Sequence, residues 1–281
     1  MTNKYRQSFK IVEKRELCKD TFFYEIEAPY LAAKMEAGQF IIIKPNVHAE
    51  RIPLSICGWD AGKGTINLIV MTVGRTSGEI NAMEVGECFS DIVGPLGKRS
   101  HVGKFPGVCV VIGGGYGTGA IVPTARDLKR LGNKVYGIVG ARTKELLIMV
   151  DELKGACDDV FVTTNDGSAG TEGFVTHALQ QIIDNGEKVL YVLAVGPVPM
   201  MKAVTEMTRP YGIQTWVSLN AIMVDGTGMC GACRVTVDKQ TKFACFDGPD
   251  FDGHKVDFDE LTKRQRMFVE KEKEAMESVA R

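Results

Sequence analysis

No stretch of this sequence is long and apolar enough to cross a bilayer as a helix. Net charge is almost absent too: 34 lysines and arginines stand against 35 aspartates and glutamates, a formal charge of −1. That balance leaves no electrostatic footprint for nucleic acid or an anionic membrane, so neither is expected as a partner. No H-E-x-x-H and no G-x-S-x-G occurs, so these hydrolytic motifs are missing. Internal repeats and low-complexity tracts are lacking as well. Lys4, Arg6 and Lys10 are followed by no apolar stretch, which does not read as a secretion signal. Eight cysteines without such a signal point to a reducing compartment, the cytoplasm.

What is present is an ordinary globular composition, 44% hydrophobic and 25% charged, over 281 residues. That length exceeds one ordinary core and implies two domains with an appendage. Over residues 1–100, short β-branched and aromatic runs recur at 9–12, 21–26, 39–43, 54–57, 65–73 and 89–93. Glycines and prolines punctuate the gaps, and antiparallel strands at this spacing predict a small closed barrel. The pattern changes over residues 101–218. Apolar strands at 108–112, 135–139, 160–164, 189–195 and 214–219 alternate with helical stretches to about 131 and near 146–153, 174–183 and 199–208. Such alternation predicts a doubly wound parallel sheet covered on both faces. Residues 219–281 hold a cysteine-rich segment and then, from 258, a charged helix with scattered Phe268 and Met276. Cys18, Cys57, Cys88, Cys109 and Cys157 lie among apolar residues and read as small core side chains.

The cysteine-rich segment carries the sharpest chemistry. It runs Asp225-Gly226-Thr227-Gly228-Met229-Cys230-Gly231-Ala232-Cys233, with Cys245 beyond. Thiolates are soft ligands that select zinc, copper(I) or iron–sulfur clusters. Three thiols are one short of a set. Asp225 stands close to the first position of the C-x4-C-x2-C…C spacing of a plant-type [2Fe–2S] site. Glycine-rich turns suit a cluster, whose sulfides accept backbone N–H bonds. A structural zinc with Asp/Cys3 ligands and a set of merely buried cysteines are the other readings, although zinc sites more often show two C-x-x-C pairs.

Three further segments stand out. Gly113-Gly114-Gly115-Tyr116-Gly117-Thr118-Gly119-Ala120 joins a strand to a helix, and Gly115, Gly117 and Ala120 satisfy the G-x-G-x-x-A form of a phosphate turn. The acidic residue expected about twenty positions on is missing; the second strand ends in Gly140-Ala141-Arg142. A tight strand-to-helix connection therefore stays open as the alternative. Gly196-Pro197-Val198-Pro199-Met200-Met201 again opens a helix at a strand's end, where open α/β sheets bind ligands. In the barrel, Arg51, Pro53 and Ser55 share one face of an extended segment. Val73-Gly74-Arg75-Thr76-Ser77-Gly78-Glu79 then enters a helical turn, either a second phosphate cradle or an ordinary cap.

In this order, R-x-P-L-S, V-G-R-T-S, G-P-L-G (residues 94–97), the glycine-rich turn and V-G-P-V-P-M-M resemble the signature of the ferredoxin–NADP reductase superfamily. The cysteine segment narrows the resemblance to the electron-transfer subunit of dihydroorotate dehydrogenase and its relatives. That subunit type has four cysteines where this chain begins with Asp225. The stretch Val-Asp-Gly-Thr-Gly-Met-Cys-Gly-Ala-Cys-Arg is most similar to the small (alpha) subunits of electron-bifurcating NADH-dependent reduced ferredoxin:NADP oxidoreductases, also called sulfide dehydrogenase alpha subunits.

The resemblance implies FAD on the barrel, with Arg51 at its phosphates, Pro53 and Leu54 against the ring and Ser55 toward N5. Ile69, Val70, Met71 and Thr72 would line that site, and Gly74, Arg75, Thr76 and Ser77 would hold the diphosphate. It places NAD(H) at Gly115, Gly117 and Thr118, with Arg142, Asp166, Gly196 and Pro197 around it. It puts a [2Fe–2S] cluster on Asp225, Cys230, Cys233 and Cys245. Val195 departs from the cysteine many superfamily members carry beside the nicotinamide. By charge alone Arg142 favours a 2′-phosphate, whereas the resemblance implies NADH. The implied work is electron passage between NADH, FAD and the cluster, beside a larger flavin and iron–sulfur subunit that handles ferredoxin and NADP. The dihydroorotate dehydrogenase subunit is the second reading, and a zinc-stabilised interaction module without redox work the third.

Overall fold

In the computed structural model, which describes residues 9–279, two sheets and a small carboxy-terminal hairpin account for the strands. Lys4, Arg6 and residues 280–281 lie outside the described residues, as does the side chain of Met276.

The first sheet contains β1 (Ile11–Cys18), β2 (Thr21–Glu27), β3 (Phe40–Lys44), β4 (Ile52–Asp60), β5 (Thr65–Met71) and β6 (Asp91–Leu96), with helices α1 (Pro29–Ala32) and α2 (Arg75–Ala82) between them. Its order is β1-β2-β5-β4-β3-β6, every pair antiparallel. The two ends meet through a bridge between Lys10 and Cys88, with the Ile11 N–H donating to the Glu87 carbonyl at 2.9 Å. Closure removes the exposed edges, as the strand spacing anticipates. Strand β3 shows why its run is apolar throughout. Ile41 and Ile43 enter the barrel core, while the alternate residues Phe40 and Ile42 face a second core outside it.

That second core belongs to the parallel sheet. It contains β7 (Val108–Gly114), α3 (Gly117–Arg130), β8 (Lys134–Ala141), α4 (Val150–Lys154), β9 (Asp159–Thr164), β10 (Thr171–Glu172), α5 (Val175–Asp184), β11 (Val189–Val195), α6 (Val198–Thr208) and β12 (Gln214–Ser218). Helices α3 and α4 pack on one face, α5 and α6 on the other. The carboxy-terminal segment forms β13 (Arg234–Val237), β14 (Gln240–Phe243), α7 (Ala244–Asp247), β15 (Asp250–Asp252), α8 (Phe258–Gln265) and α9 (Val269–Val279). Strand β15 joins the parallel sheet antiparallel to β12, giving the order β10-β9-β8-β7-β11-β12-β15. The cysteine segment is thus sewn to the sheet on its far side.

Three expectations need correction. Cys88 is exposed, because it lies in the segment that closes the barrel rather than in a core, and Cys18 and Cys157 are only half-buried. The helix expected over 146–153 is broken: a 3-10 turn at Lys144–Leu146 precedes α4, and Met149 between them adopts φ 57°. The first strand runs to Cys18, its exposed face hidden in the sequence by the charges at Glu13, Arg15 and Glu16.

Candidate functional site

The antiparallel pairing of Ile56 with Leu68 sets residues 51–55 of the β4 region beside the end of β5. Arg51 is held in place by Asp91, Nη2 to Oδ2 at 2.8 Å. Thr72 is fixed from two sides: its N–H donates to the Asp20 carbonyl at 2.8 Å and its hydroxyl accepts from Asn81 Nδ2 at 2.7 Å. The Ser77 hydroxyl is committed to the turn, accepting from the Val73 and Gly74 N–H groups at 3.0 Å and donating to the Gly74 carbonyl at 2.9 Å. Thr76 is buried, and Arg75 pairs with Glu79 at 2.9 Å. A Cβ on Gly74 would meet nothing within 4 Å, so this turn is open to a ligand at the start of α2. Val70 points into the barrel core and Ile69 lies under α3, so those two contribute no exposed side chain.

Between barrel and sheet opens a cavity of about 780 Å³, within the range of ligand sites. It lies at the carboxyl edge of the parallel strands, where such sheets bind ligands. Met71 and Thr72, which the resemblance assigns to the flavin, and Gly115, Arg142 and Pro197, which it assigns to the dinucleotide, line it together. Cys18, Lys19, Asp20, Thr21, Tyr116, Phe174 and Met200 line it too, none of them among the binding residues that the resemblance implies.

Glycines of the connecting turn have separate reasons. Gly115 adopts φ +56° over open space, a cradle for a phosphate. A Cβ on Gly117 would fall 2.4 Å from the Val195 carbonyl oxygen, and one on Gly119 would fall 2.4 Å from Ile69 Cδ1 and 3.0 Å from Cys57 Cβ. Gly119 thereby lets α3 seat directly on barrel strands β4 and β5. The Thr118 hydroxyl is fully buried with no hydrogen-bond partner among the described residues, and Thr118 does not line the cavity. Gly196 packs against Met200 and Gly114 behind the cavity wall. Asp166 turns instead to Ser168, whose hydroxyl and N–H hold its carboxyl below the usual range, and it does not line the cavity.

The cysteine loop takes its shape from Gly226, Gly228 and Gly231, all at positive φ. Asp225 ties it together, its two carboxylate oxygens accepting from the Thr227 N–H at 2.8 Å and the Cys230 N–H at 2.9 Å. Those bonds, Thr227 first, hold Asp225 below the usual carboxylate range. Cys233 and Cys245 are buried, 1% and 3% exposed, with sulfurs 3.1 Å apart, whereas Cys230 is exposed. Burial, then the Cys233 sulfur, pushes the Cys245 thiol up to about 12, while a Gly228 N–H bond pulls it down. Among the described residues no three His, Cys, Asp or Glu side chains converge on one point. Two close thiols, a third apart and N–H groups aimed at sulfur fit ligands shared between two irons. A Cβ on Gly226 would fall 2.8 Å from Ile42 Cγ1 and Leu96 Cδ1, so the loop rests directly on β3 and β6.

Residues 220–257 match the iron-sulfur cluster binding domain of dihydroorotate dehydrogenase B. The chain is 44% identical over 264 residues to the "Dihydroorotate dehydrogenase B (NAD(+)), electron transfer subunit homolog" of Thermotoga maritima, covering 94% of this chain and 93% of that one. It is 32% identical over 251 residues to the corresponding Clostridium perfringens subunit, covering 89% and 97%. A solved structure of the NADH-dependent reduced ferredoxin-NADP oxidoreductase superposes with a TM-score of 0.92 at 42% identity over 98% of each chain. Phthalate dioxygenase reductase, at 17% identity and a TM-score of 0.61 over 84% and 92%, shares the fold. Fold and site together define a flavin and iron–sulfur oxidoreductase component of the ferredoxin reductase kind. The chain belongs to the family of dihydroorotate dehydrogenase B electron-transfer subunits and their homologues.

Proposed function

We propose that this chain is the electron-transfer subunit of an electron-bifurcating NADH/ferredoxin:NADP oxidoreductase, passing electrons between NAD(H), FAD and a [2Fe–2S] cluster. The observation that carries the reading is the seat of the cysteine loop. Gly226 presses on Ile42 of β3, and Ile42 pairs with Pro53 of β4, the strand of the flavin segment. Residues 1–100 would then hold the flavin, 101–218 the nicotinamide dinucleotide and 219–281 the cluster.

When bound, FAD exchanges a hydride with the nicotinamide and the cluster carries electrons singly. The chain's own residues supply position. Arg51, oriented by Asp91, and the Gly74 turn bind the flavin's phosphates. Ser55 would serve the ring, and the Gly115 turn would carry the dinucleotide's phosphates. Cys230, Cys233 and Cys245 would hold the cluster, with Asp225 as the fourth ligand. Gly226 seating on β3 would set the cluster loop against the sheet that carries the flavin segment.

An electron-transfer subunit delivers to a larger partner, and the collar round Cys230 is the surface for it: Met229 is 88% exposed, and Phe246 and Val224 are exposed beside it. A partner linked to ferredoxin and NADP, in the cytoplasm, completes the proposal. The family matches also favour a second reading, a partner that oxidises dihydroorotate. Anaerobic purification from the native source tests both. A brown protein containing flavin, iron and sulfide supports electron transfer, and a colourless zinc protein defeats it. A co-purifying dihydroorotate-oxidising subunit selects the second reading.

A further inference from the structure

The β1–β2 hairpin belongs to the barrel, yet its tip stands against the nucleotide domain. Leu17 and Cys18 pack on the core beneath α3 and α4, and Arg15 reaches Glu152 of α4, Nη2 to Oε1 at 3.7 Å. A loop of Lys19 and Asp20 makes the turn. Asp20 takes φ 58°, a conformation aspartate tolerates better than most residues, and its carbonyl accepts the Thr72 N–H at 2.8 Å. The tip is therefore fixed both to the sheet domain and to the end of β5. Lys19 lines the cavity from this tip, exposed, with no carboxylate within ion-pair distance among the described residues. Gly114, Gly115 and Tyr116 line the same cavity, on the turn that leads into α3, whose first helical turn contains no acidic residue. A cleft lined by an unpaired ammonium and by the turn that opens a helix is complementary to a compact dianion.

We propose that Lys19 is a binding residue for the diphosphate of the nicotinamide dinucleotide, supplied by the flavin barrel across the interdomain cleft. The inference rests on the reading that this cavity takes the dinucleotide. The hairpin then serves more than the barrel, because one ligand group is gripped by both domains. The nicotinamide is held against the flavin only while the cleft is assembled. Asp20 borders the cavity as well and acts through its backbone.

The test uses oxidised holoprotein and calorimetric titration with NAD+ and with ADP-ribose, which carries the diphosphate without the nicotinamide. Lys19→Ala should weaken both about tenfold or more, the scale of a charge-assisted hydrogen bond. Lys19→Arg should stay within about threefold of the parent, because the cation is retained. Flavin and cluster absorbance should be unchanged in both variants. Lys19→Ala binding both ligands as tightly as the parent overturns the assignment, as does a loss confined to NAD+. A parent that binds neither ligand overturns the reading of the cavity itself.

Discussion

Cys233 and Cys245 hold their sulfurs 3.1 Å apart, and the Cys245 N–H points at the Cys233 sulfur at 3.4 Å. The contact joins the loop to α7 across the β13–β14 hairpin, with the Ala244 N–H donating to the Cys233 carbonyl at 3.1 Å. Two thiolates on one tetrahedral metal atom, each about 2.3 Å from it, stand roughly 3.8 Å apart, so a shared metal would need these two sulfurs to part by about 0.7 Å. Cys230 and Asp225 are then left for a second.

Asp225 tests that division. Asp225→Ala removes the acceptor for two loop N–H groups as well as the proposed ligand, so iron content should fall while FAD stays bound in the barrel. Asp225→Cys should keep a cluster with a shifted potential and EPR signal, since a thiolate is a softer donor than a carboxylate. An EPR spectrum unchanged in Asp225→Cys would reduce Asp225 to a residue that shapes the loop.

Flavin affinity should depend on Arg51. Charge-assisted bonds contribute about 1.5–3 kcal/mol, so Arg51→Ala should weaken FAD retention about ten- to hundredfold. Asp91→Asn should cost less, because it frees the guanidinium without removing it. Flavin retained through dialysis of Arg51→Ala at the parental level would contradict the assignment.

Gly117 has no room for a side chain, because the Val195 carbonyl stands 2.4 Å from where its Cβ would be. Gly117→Ala should destabilise the fold by about 1–3 kcal/mol and displace the turn. Denaturant unfolding measures the first effect and NAD+ titration the second.

A pH dependence should arise at Asp250. Its carboxyl is fully buried, bonded to the Ser100 hydroxyl at 2.6 Å, with Thr124 donating to that same hydroxyl at 3.1 Å. Burial raises it above the usual carboxylate range, and the Ser100 and Ser218 hydroxyls pull it part of the way back. The protonated acid is thus favoured in the folded chain. Its stabilising share is complete below the unfolded value of about 3.9 and is lost as pH rises through the folded value. Asp250→Asn should flatten that part of the profile of Tm against pH. Parallel profiles for parent and variant would remove Asp250 from the account.

Much of the architecture was legible in the sequence. The glycine-rich turn, the strand alternation and the cysteine spacing each follow from short-range chemistry. What escaped depends on long-range contact. Nothing local marks β15 as an edge strand of the parallel sheet. The Lys19–Asp20 turn looks like any hairpin until Leu17, Cys18 and Glu152 place it at the cavity. Ser77 read as a phosphate ligand because hydroxyls cap helices and bind phosphates equally well; the structure engages it with Val73 and Gly74. The resemblance implies Val70 as part of the flavin site, and strand alternation turns its side chain into the barrel core.

The nicotinamide preference follows from the family resemblance rather than from charge, since Arg142 alone would welcome a 2′-phosphate. Stopped-flow reduction of the flavin should be faster with NADH than with NADPH at equal concentration. The reverse order would assign Arg142 to a 2′-phosphate.

Electrons should pass from NADH through the flavin to the cysteine loop. The most direct measurement of that passage is an EPR spectrum of the anaerobic holoprotein before and after NADH, with flavin absorbance recorded on the same sample. The flavin should bleach and a new signal of a reduced [2Fe–2S] cluster should appear, which Asp225→Cys shifts. Bleaching with no cluster signal, in a sample whose iron and sulfide are intact, would contradict that passage.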